Sequence, residues 1–474
     1  MSDGAAQPAP MNWLKLLLIM LLVARFVLFL RAAQWEPAHL VGDFATDYYP
    51  RAEFIAEHGR PPTRAEMATD LYLRPPGTSA LLALPIAAGQ DWKAVVQSNR
   101  VFNLAVETML LCAMLLFLWR WTGSGWYLTP LSVLLLAQPW TSGFVGLPGA
   151  DTLNMAFLAC SALALPLCTQ RLRAGKTPGI AAWVCGLGLA GSLLLRAESI
   201  LWLSLLALAT WWCWWIAPSQ RRALTVAFWG PVFVALMICA SYSQYVRGSP
   251  NLWRADHNEF SENGVNQWVR TWYGTEREKT NIGFYWFRGQ HLTMDSVPVH
   301  AIRSEEQARR IEAVLKAAHV DRPLSSEAQA ELAALARDNR RAAPWDYYFG
   351  IPIHHVYQML AGASTYPEAA RLLGRIHPQL GRWLEPVLLL TILAGCILCC
   401  VPRLSSYGGQ EWRDFRAVAL TLIAARAALF AILLKYPENR YFLPLWPMIL
   451  MLAAMGWRQA AAARNIRALS FSGS

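Results

Sequence analysis

Two aspartates, Asp43 and Asp151, stand where long apolar segments of the chain meet polar sequence. Asp43 follows the opening apolar segment and Asp151 precedes a later one, and basic residues such as Arg74 lie near them in the sequence. A carboxylate kept at a membrane surface beside basic residues costs free energy and usually has a chemical purpose. This pattern predicts an enzyme that activates a hydroxyl group beside a lipid-carried substrate.

The composition is that of an integral membrane protein. Of 474 residues, 55% are hydrophobic and only 15% are charged, whereas soluble proteins usually carry about 25% charged residues. The net charge of +11 has no accompanying pattern typical of RNA or DNA binding, so we expect no nucleic-acid partner. We assign the positive excess to loops beside anionic lipid. The cysteines lie mostly inside apolar segments without metal-ligand spacing, which indicates packing residues.

The elements that must position these aspartates are membrane-spanning helices, which need about 20 apolar residues each. We expect an all-α polytopic membrane protein with about ten spans. The apolar stretch from Thr78 to Ala88 is short for a span, and we interpret it as a helix on the outer surface; an eleventh span is the alternative. No cleavable signal is evident at the N-terminus. The expected spans are residues 12–32, 98–120, 126–142, 152–170, 178–196, 199–217, 222–243, 382–402, 414–435 and 441–459.

The loop charges fix the expected orientation. With the N-terminus inside, Arg120, the basic run 171–176, Arg221-Arg222 and the segments 403–416 and 458–467 all fall in the cytoplasm, as the positive-inside rule requires. An added span at 78–88 would invert every later loop and violate that rule. We therefore expect both termini in the cytoplasm and Asp43 and Asp151 on the other side.

This topology divides the chain into four parts. Residues 1–243 form an N-terminal transmembrane module that carries the first outer loop, 33–97. Residues 244–381 form a mostly helical insertion outside the membrane, 382–460 the C-terminal transmembrane helices, and 461–474 a cytoplasmic tail. Within the insertion, two S-x-x-Q capping boxes begin at Ser304 and Ser326 and predict helices near 304–319 and 326–340.

Several short segments resemble, in order, motifs of the GT-C glycosyltransferases, in particular the protein O-mannosyltransferase and aminoarabinose transferase group, glycosyltransferase family 39. Asp43 is followed by Phe44 where that family has a second acid, and Asp47 is the candidate for the second position. The resemblance covers the membrane part of the chain but not residues 244–381. The segments are Gly42-Asp43 with Tyr48-Tyr49, Leu73-Arg74-Pro75-Pro76-Gly77, Asn99-Arg100-Val101-Phe102, Gly149-Ala150-Asp151, Leu194-Leu195-Arg196-Ala197-Glu198 and Asn439-Arg440-Tyr441-Phe442-Leu443-Pro444.

The resemblance implies a GT-C-like bundle with outer juxtamembrane helices and an inverting sugar transfer from a polyprenyl-phosphate donor. The acceptor would be a hydroxyl group of a lipid, a glycan or a protein, and the site would face the periplasm at a bacterial inner membrane. Asp43 is then the candidate general base, for which we expect about 10²–10⁴-fold of the acceleration. Asp47 would orient the acceptor or be solvated, and Asp151 would cap its helix, contact the acceptor or contact a metal.

Arginines are the implied ligands of the donor phosphate, because a guanidinium donates two parallel hydrogen bonds to phosphate oxygens. Arg440 is the best candidate, with an interfacial anchor as the alternative, and Arg74 and Arg196 are weaker candidates for the same role. Arg196 can instead pair with Glu198. Arg426 lies well inside a span, where a ligand and a structural partner from another helix are equally plausible.

Aromatic residues are the candidates for holding the sugar or the acceptor. Tyr48, Tyr441, Trp268 and Trp272 are the candidate contacts, since aromatic faces stack on sugars; for the two tryptophans an interfacial belt is the favoured alternative. His354-His355 and the other outer histidines lack metal-ligand spacing, and we interpret them as loop residues. The resemblance leaves a divalent cation, Mg²⁺ or Mn²⁺, open.

Two other functions remain as alternatives. A transporter or flippase of a lipid-linked sugar would show two related halves with broken helices at matching positions, and seven spans followed by an insertion and three more do not fit that pattern. An O-antigen ligase or polysaccharide polymerase would depend on Arg and His in outer loops rather than on an Asp directly after the first span.

Overall fold

The protein is helical throughout the part of the chain that the structure describes. In this computed structural model those residues are 23, 44–66, 74–122, 149–250, 263–273, 294–317, 324–361, 378–401, 409–433 and 442–472. Every regular element among them is a helix or a helical turn. This confirms the all-α class.

The helices in chain order are α1 (Tyr49–His58), α2 (Gly77–Ala87), α3 (Trp92–Thr122), α4 (Asp151–Arg173), α5 (Gly179–Leu195), α6 (Trp202–Ile216), α7 (Arg221–Arg247), α8 (Gly264–Val269), α9 (Glu305–Ala317), α10 (Ser326–Ala342), α11 (Ile351–Ala361), α12 (Pro378–Cys400), α13 (Gln410–Ala427) and α14 (Trp446–Ser472). Short π-helical turns cover Phe44–Tyr48, Asp346–Gly350 and Ala428–Leu433, and 3₁₀ turns include Arg64–Glu66, Ala197–Leu201 and Leu443–Leu445.

Five helical stretches of the described residues are long and apolar enough to cross a membrane: Trp92–Trp121, Asp151–Arg173, Glu198–Ile216, Pro218–Val246 and Gln410–Ile432. Each coincides with an expected span. Gly179–Leu195 and Leu389–Cys400 fall on two more but form shorter apolar helices, and α14 covers the last. The expected spans 12–32 and 126–142 lie outside the described residues. The protein is thus a membrane protein, but its described helices do not reach the expected count of ten.

One apolar core unites the long helices, and small residues let their backbones approach closely. A Cβ atom at Gly456 of α14 would lie 1.8 Å from the carbonyl oxygen of Gly395 in α12. There is no room for a Cβ atom at this position, so only glycine fits. Helices that pack inside a membrane gain van der Waals contact through such close backbone approach. Cys168, Cys185 and Cys213 are free and lie in the same core, as their apolar surroundings predict.

Charged groups of three helices meet at one end of the bundle. Arg120 of α3 donates two hydrogen bonds to Glu411 of α13, at 2.6 and 2.9 Å. Arg173, at the end of α4, pairs with Asp414 of α13, which also accepts from Thr169 at 2.7 Å. We call Arg120, Arg173, Glu411 and Asp414 the far-end cluster. Three segments expected on the cytoplasmic side therefore share one end, and the compartment that this end faces stays a prediction.

The insertion has a hydrophobic core of its own, built by α8, α9 and α10. Both helices predicted by capping boxes are present. Ser304 accepts from the backbone N–H of Gln307 at 3.2 Å, as predicted. The predicted cap of the second helix is wrong by one residue, because Ser325, not Ser326, accepts from the backbone N–H of Ala328 at 3.2 Å. Gln329 instead accepts from the backbone N–H of Val265 at 3.3 Å.

Helices α1 and α2 pack together on the start of α3 around Tyr48, Leu82 and Val95. At 11 residues, α2 is about 16 Å long, half of the hydrocarbon thickness of a bilayer. Its length agrees with a helix that does not span. At its N-terminus, a Cβ atom on Gly77 would lie 2.5 Å from the carbonyl oxygen of Leu194 in α5, so α2 touches the bundle directly.

Candidate functional site

The first ion cluster is formed by Asp47, Arg51 and Arg74. Asp47 lies in the π-helical turn Phe44–Tyr48, and Arg51 lies one turn later in α1. The Asp47 carboxylate pairs with Arg51 through one oxygen at 2.8 Å and with Arg74 through the other at 2.7 Å. Arg51 also donates to the hydroxyl of Tyr242 in α7 at 3.1 Å. The cluster therefore ties the segment before α2 to the transmembrane bundle.

The burial of this cluster corrects two expectations. Asp47 is buried, so it is not a solvated residue, and both of its oxygens are already engaged with arginines. Tyr48 is buried in the apolar cluster between α1, α2 and α3. The guanidinium of Arg74 lies 5.1 Å from the centre of the Tyr48 ring and donates to its hydroxyl at 3.3 Å. The ring stabilises Arg74 and is not open for stacking on a sugar, so that prediction is wrong.

The second ion cluster is formed by Asp151, Arg196 and Glu198. Arg196 is buried and has extended backbone (φ −140°, ψ 125°) at the break between α5 and the following 3₁₀ turn. Its guanidinium lies 2.8 Å from Glu198 and 3.2 Å from Asp151. The predicted Arg196–Glu198 pair is confirmed. The break in the helix lets one arginine reach carboxylates from two different segments.

Asp151 does not cap α4. The cap residue is Ala150, and Asp151 is the first residue inside the helix, where a negative charge favours the positive end of the helix dipole. The Asp151 side chain is 23% exposed, against 10% for Asp47 and for Glu198. Of these three carboxylates, Asp151 is the one that a ligand can reach most easily.

A buried polar network supports the second ion cluster and was missed from sequence. Asn154, one turn after Asp151, contacts the hydroxyl of Ser192 at 2.5 Å, and Ser192 and Ser199 share a hydrogen bond of 2.6 Å. All three side chains are buried. The helical spacing of Asp151 and Asn154 was the available signal, because it places both on one face of α4.

Arg426 completes this polar region from α13. It is buried, and its guanidinium lies 5.1 Å from the ring centre of Trp202 and 4.8 Å from that of Phe430. Arg426 is also within electrostatic range of Glu198. The Glu198 charge therefore acts on Arg426 from another segment, and the aromatic rings add cation–π stabilisation.

The two ion clusters adjoin each other. Gly77, three residues after Arg74, touches Leu194, two residues before Arg196, and Leu194 packs against Tyr242, the hydrogen-bond partner of Arg51. Asp151 and Arg173 lie at opposite ends of α4, about 33 Å apart at 1.5 Å per residue. The two ion clusters therefore occupy the end of the bundle away from the far-end cluster, at a separation close to the thickness of a bilayer core of about 30 Å.

An apolar groove begins beside Arg426. It has a volume of about 350 Å³ and is lined by α4, α5, α6, α7 and α13. Its lining residues on α6 run from Trp202 to Trp212, which are about 15 Å apart along the helix. Leu422, one turn before Arg426, also lines it. Trp211, on its wall, is exposed. The groove therefore reaches the protein surface at Trp211, and on its wall Trp202 is the ring that the buried Arg426 contacts.

The two tryptophans of the insertion do not face a ligand. Trp268 is 1% exposed, Trp272 is buried beside it, and both lie in the core between α8, α9 and α10. This burial contradicts both the sugar-stacking prediction and the interfacial belt. His355 is also not a loop residue: it lies in α11, is buried, and contacts the carbonyl oxygen of Tyr273 at 3.0 Å.

Three predicted site residues, Asp43, Arg440 and Tyr441, lie outside the described residues. The segment that directly follows Tyr441 is described: Leu443–Leu445 is buried and packs against α4, the helix that begins with Asp151. The structure thus brings Arg74, Asp47, Asp151, Arg196 and Arg426 into one region and leaves the other three untested.

Two further polar features were missed from sequence. Glu107 is buried within the span Trp92–Trp121, and an acid inside an apolar segment was the available signal. Asn99, two turns earlier, accepts from the backbone N–H of Gly149 at 3.1 Å and so positions the loop before Asp151. Among the residues described, no group of three or more His, Cys, Asp or Glu side chains is arranged to hold a metal ion.

Comparison of the chain with protein-family models, with curated proteins and with solved structures finds no match. The function must therefore be argued from the geometry of the two ion clusters and the groove, together with the resemblance of the short motifs.

Proposed function

We propose that this protein is a membrane glycosyltransferase that moves a sugar from a polyprenyl-phosphate donor to a hydroxyl acceptor at the end of the bundle that carries the ion clusters. The observation that supports it best is the apolar groove whose wall includes Trp202, the ring that the buried Arg426 contacts. A polyprenyl phosphate has an apolar tail and an anionic head, and this site offers an apolar wall and buried positive charge in the same order. A volume of about 350 Å³ is at the lower end for ligand pockets, about 300–1,000 Å³. The groove would hold the head-proximal part of the tail, and the rest would stay in lipid.

In this proposal the arginines bind the donor phosphate. Arg426 and Arg196 are now balanced by Glu198 and Asp151, which keep these buried positive charges neutralised without a ligand. An entering phosphate would exchange with those carboxylates and accept paired hydrogen bonds from the guanidinium groups. Arg440 remains the further phosphate ligand implied by the resemblance.

The proposed reaction needs one base and one stabilised leaving group. The acceptor oxygen attacks the anomeric carbon, the bond from that carbon to the phosphate oxygen breaks with its electron pair on the phosphate, and the acceptor proton passes to a carboxylate. Asp43 is the proposed base, and Asp151 is the alternative because it is the most accessible acid of the second ion cluster. Asp47 positions Arg74 and Arg51 rather than accepting the proton, because both of its oxygens are engaged.

The test is sugar transfer by the full-length protein in membranes supplied with radiolabelled polyprenyl-phosphate sugars. We expect loss of transfer in Asp43→Asn and Asp151→Asn. Asp414→Asn is the matched control, because it breaks an arginine–carboxylate pair in the far-end cluster and should retain transfer if it folds. Full transfer by well-expressed Asp43→Asn and Asp151→Asn proteins would remove both as base.

The same preparation distinguishes the alternatives. Movement of the lipid-linked sugar across proteoliposomes without any transfer product would favour the transporter or flippase. Transfer that survives both aspartate variants but is lost on substitution of outer arginines or histidines would favour the O-antigen ligase or polymerase. Mass spectrometry of envelope glycans made with and without the active protein would then identify the sugar.

A further inference from the structure

An exposed apolar face lies on α11 and the turn before it. Trp345, Phe349, Ile353 and Tyr357 are spaced by four residues, and their exposed fractions run from 54% for Phe349 to 74% for Trp345. The ring centres of Trp345 and Phe349 lie 4.8 Å apart, so these residues share one face. Four large apolar side chains in a row form a surface that water solvates poorly, which marks an interaction site.

The opposite face of the same helix packs on the protein. Pro352, His355 and Met359 are buried, at the i, i+3 and i+7 positions of one helical face. His355 contacts another part of the insertion through the Tyr273 carbonyl oxygen, and Met359 belongs to the core of the transmembrane bundle. Helix α11 is therefore fixed in place, and its aromatic face points away from the protein.

The surroundings of this face indicate its partner. Helix α11 packs against Ala428–Leu433, the end of the membrane-spanning stretch Gln410–Ile432. Ile432 on that stretch is itself exposed and so faces lipid. The aromatic face of α11 thus continues the lipid-facing surface at the level where a span ends, which is where Trp and Tyr are enriched in membrane proteins.

The charges beside the face favour anionic headgroups. Arg337 and Arg341, one turn apart at the end of α10, are exposed and directly precede Trp345. Asp346 is the exposed acid on this segment, and Asp338 is paired with Arg310 at 3.0 Å. An aromatic face flanked by exposed basic residues is the pattern of helices that lie in a membrane interface.

We propose that the face formed by Trp345, Phe349, Ile353 and Tyr357 inserts into the lipid leaflet at the end of the bundle that carries the ion clusters. Arg337 and Arg341 contact anionic headgroups, and the inserted helix holds the insertion against the membrane. This inference does not depend on the sugar-transfer reaction.

Photo-crosslinking in nanodiscs tests the proposal with the full-length protein. A photoreactive amino acid replaces Phe349 or Tyr357, and the matched control replaces Glu312, a half-exposed residue of α9 on the insertion. After illumination, mass spectrometry should find phospholipid adducts at 349 and 357 and none at 312. Adducts to a second copy of the chain or to another protein, or lipid adducts no more frequent than at 312, would overturn it.

A second measurement examines the headgroup contact. The lipid adducts at 349 should decrease when anionic lipid is replaced by zwitterionic lipid, and Arg337→Gln/Arg341→Gln should abolish that dependence. Both arginines are exposed, so the double variant is expected to fold. Equal adduct yields in both lipids would show that the face does not recognise anionic headgroups.

Discussion

Replacement of Arg196 by methionine is the sharpest test of the second ion cluster. Methionine keeps much of the apolar stem but removes the charge that lies 2.8 Å from Glu198 and 3.2 Å from Asp151. Both carboxylates would remain in place, with side chains 10% and 23% exposed. Loss of one partner from a buried ion pair costs about 3–5 kcal/mol. Because Glu198 loses its close partner while Asp151 regains some hydration, we expect Arg196→Met to lower the free energy of unfolding by about 4 kcal/mol.

The matched control is Lys316→Met, which removes the basic partner of an exposed ion pair with Glu312, 2.7 Å long, on α9. Exposed pairs contribute about 0–1 kcal/mol, so this variant should resemble the parent. The double variant Arg196→Met/Glu198→Met removes the orphaned carboxylate as well. It should recover part of the stability, since apolar replacement of a buried pair is often close to neutral.

The buried cysteines supply the readout. Cys185 and Cys213 are free and buried, whereas Cys160 and Cys400 are exposed. The labelling by a thiol-reactive fluorescent dye above the folded-state level therefore reports unfolding in detergent, and titration with a denaturing detergent gives the free energies. If Arg196→Met unfolds within about 1 kcal/mol of Lys316→Met, a value typical of exposed pairs, the second ion cluster is not a buried charge network and the reasoning fails.

Three other predictions follow. Gly77→Ala would place a Cβ atom 2.5 Å from a carbonyl oxygen of α5. We therefore expect the free energy of unfolding to fall by about 1–3 kcal/mol in the same detergent titration. An unchanged free energy of unfolding would show that α2 does not pack on α5. Trp268→Ala should destabilise the insertion by about 3–5 kcal/mol, which would be seen as faster hydrogen exchange in α8 and α10. A variant of unchanged stability with a raised KM for the acceptor would instead support the sugar-stacking role. The hydrogen bond from Arg60 lowers the pKa of Glu66 well below its ordinary value of 4.5. The stabilisation from this contact is therefore complete above that pH and declines as the pH falls from there to the lowered pKa. The Thr63 amide, which donates to Glu66 at 2.8 Å, should therefore stay protected from exchange at about pH 5, and loss of protection already near neutral pH would contradict the pairing.

Local pattern was sufficient for the helical class and for several element bounds. The apolar segments predicted α3, α4, α6, α7 and α13 because a helix that faces lipid must be apolar over its whole length. The S-x-x-Q spacing found the start of α9, since a cap depends on neighbours three residues apart. It misplaced the cap of α10 because only Ser326 has a glutamine three residues later, whereas in the structure Ser325 caps the helix and Gln329 bonds to α8.

The sequence by itself determined that this is an α-helical membrane protein. It offered the Arg196–Glu198 pair as one of two roles for Arg196, because the two residues are close in sequence. Only the tertiary structure decided that Asp151 joins that pair, that Asp47 is enclosed by two arginines, and that Trp268 is a core residue of the insertion. Residues distant in sequence meet only when helices pack, and whether an aromatic or charged side chain is buried depends on what covers it, which no local spacing records.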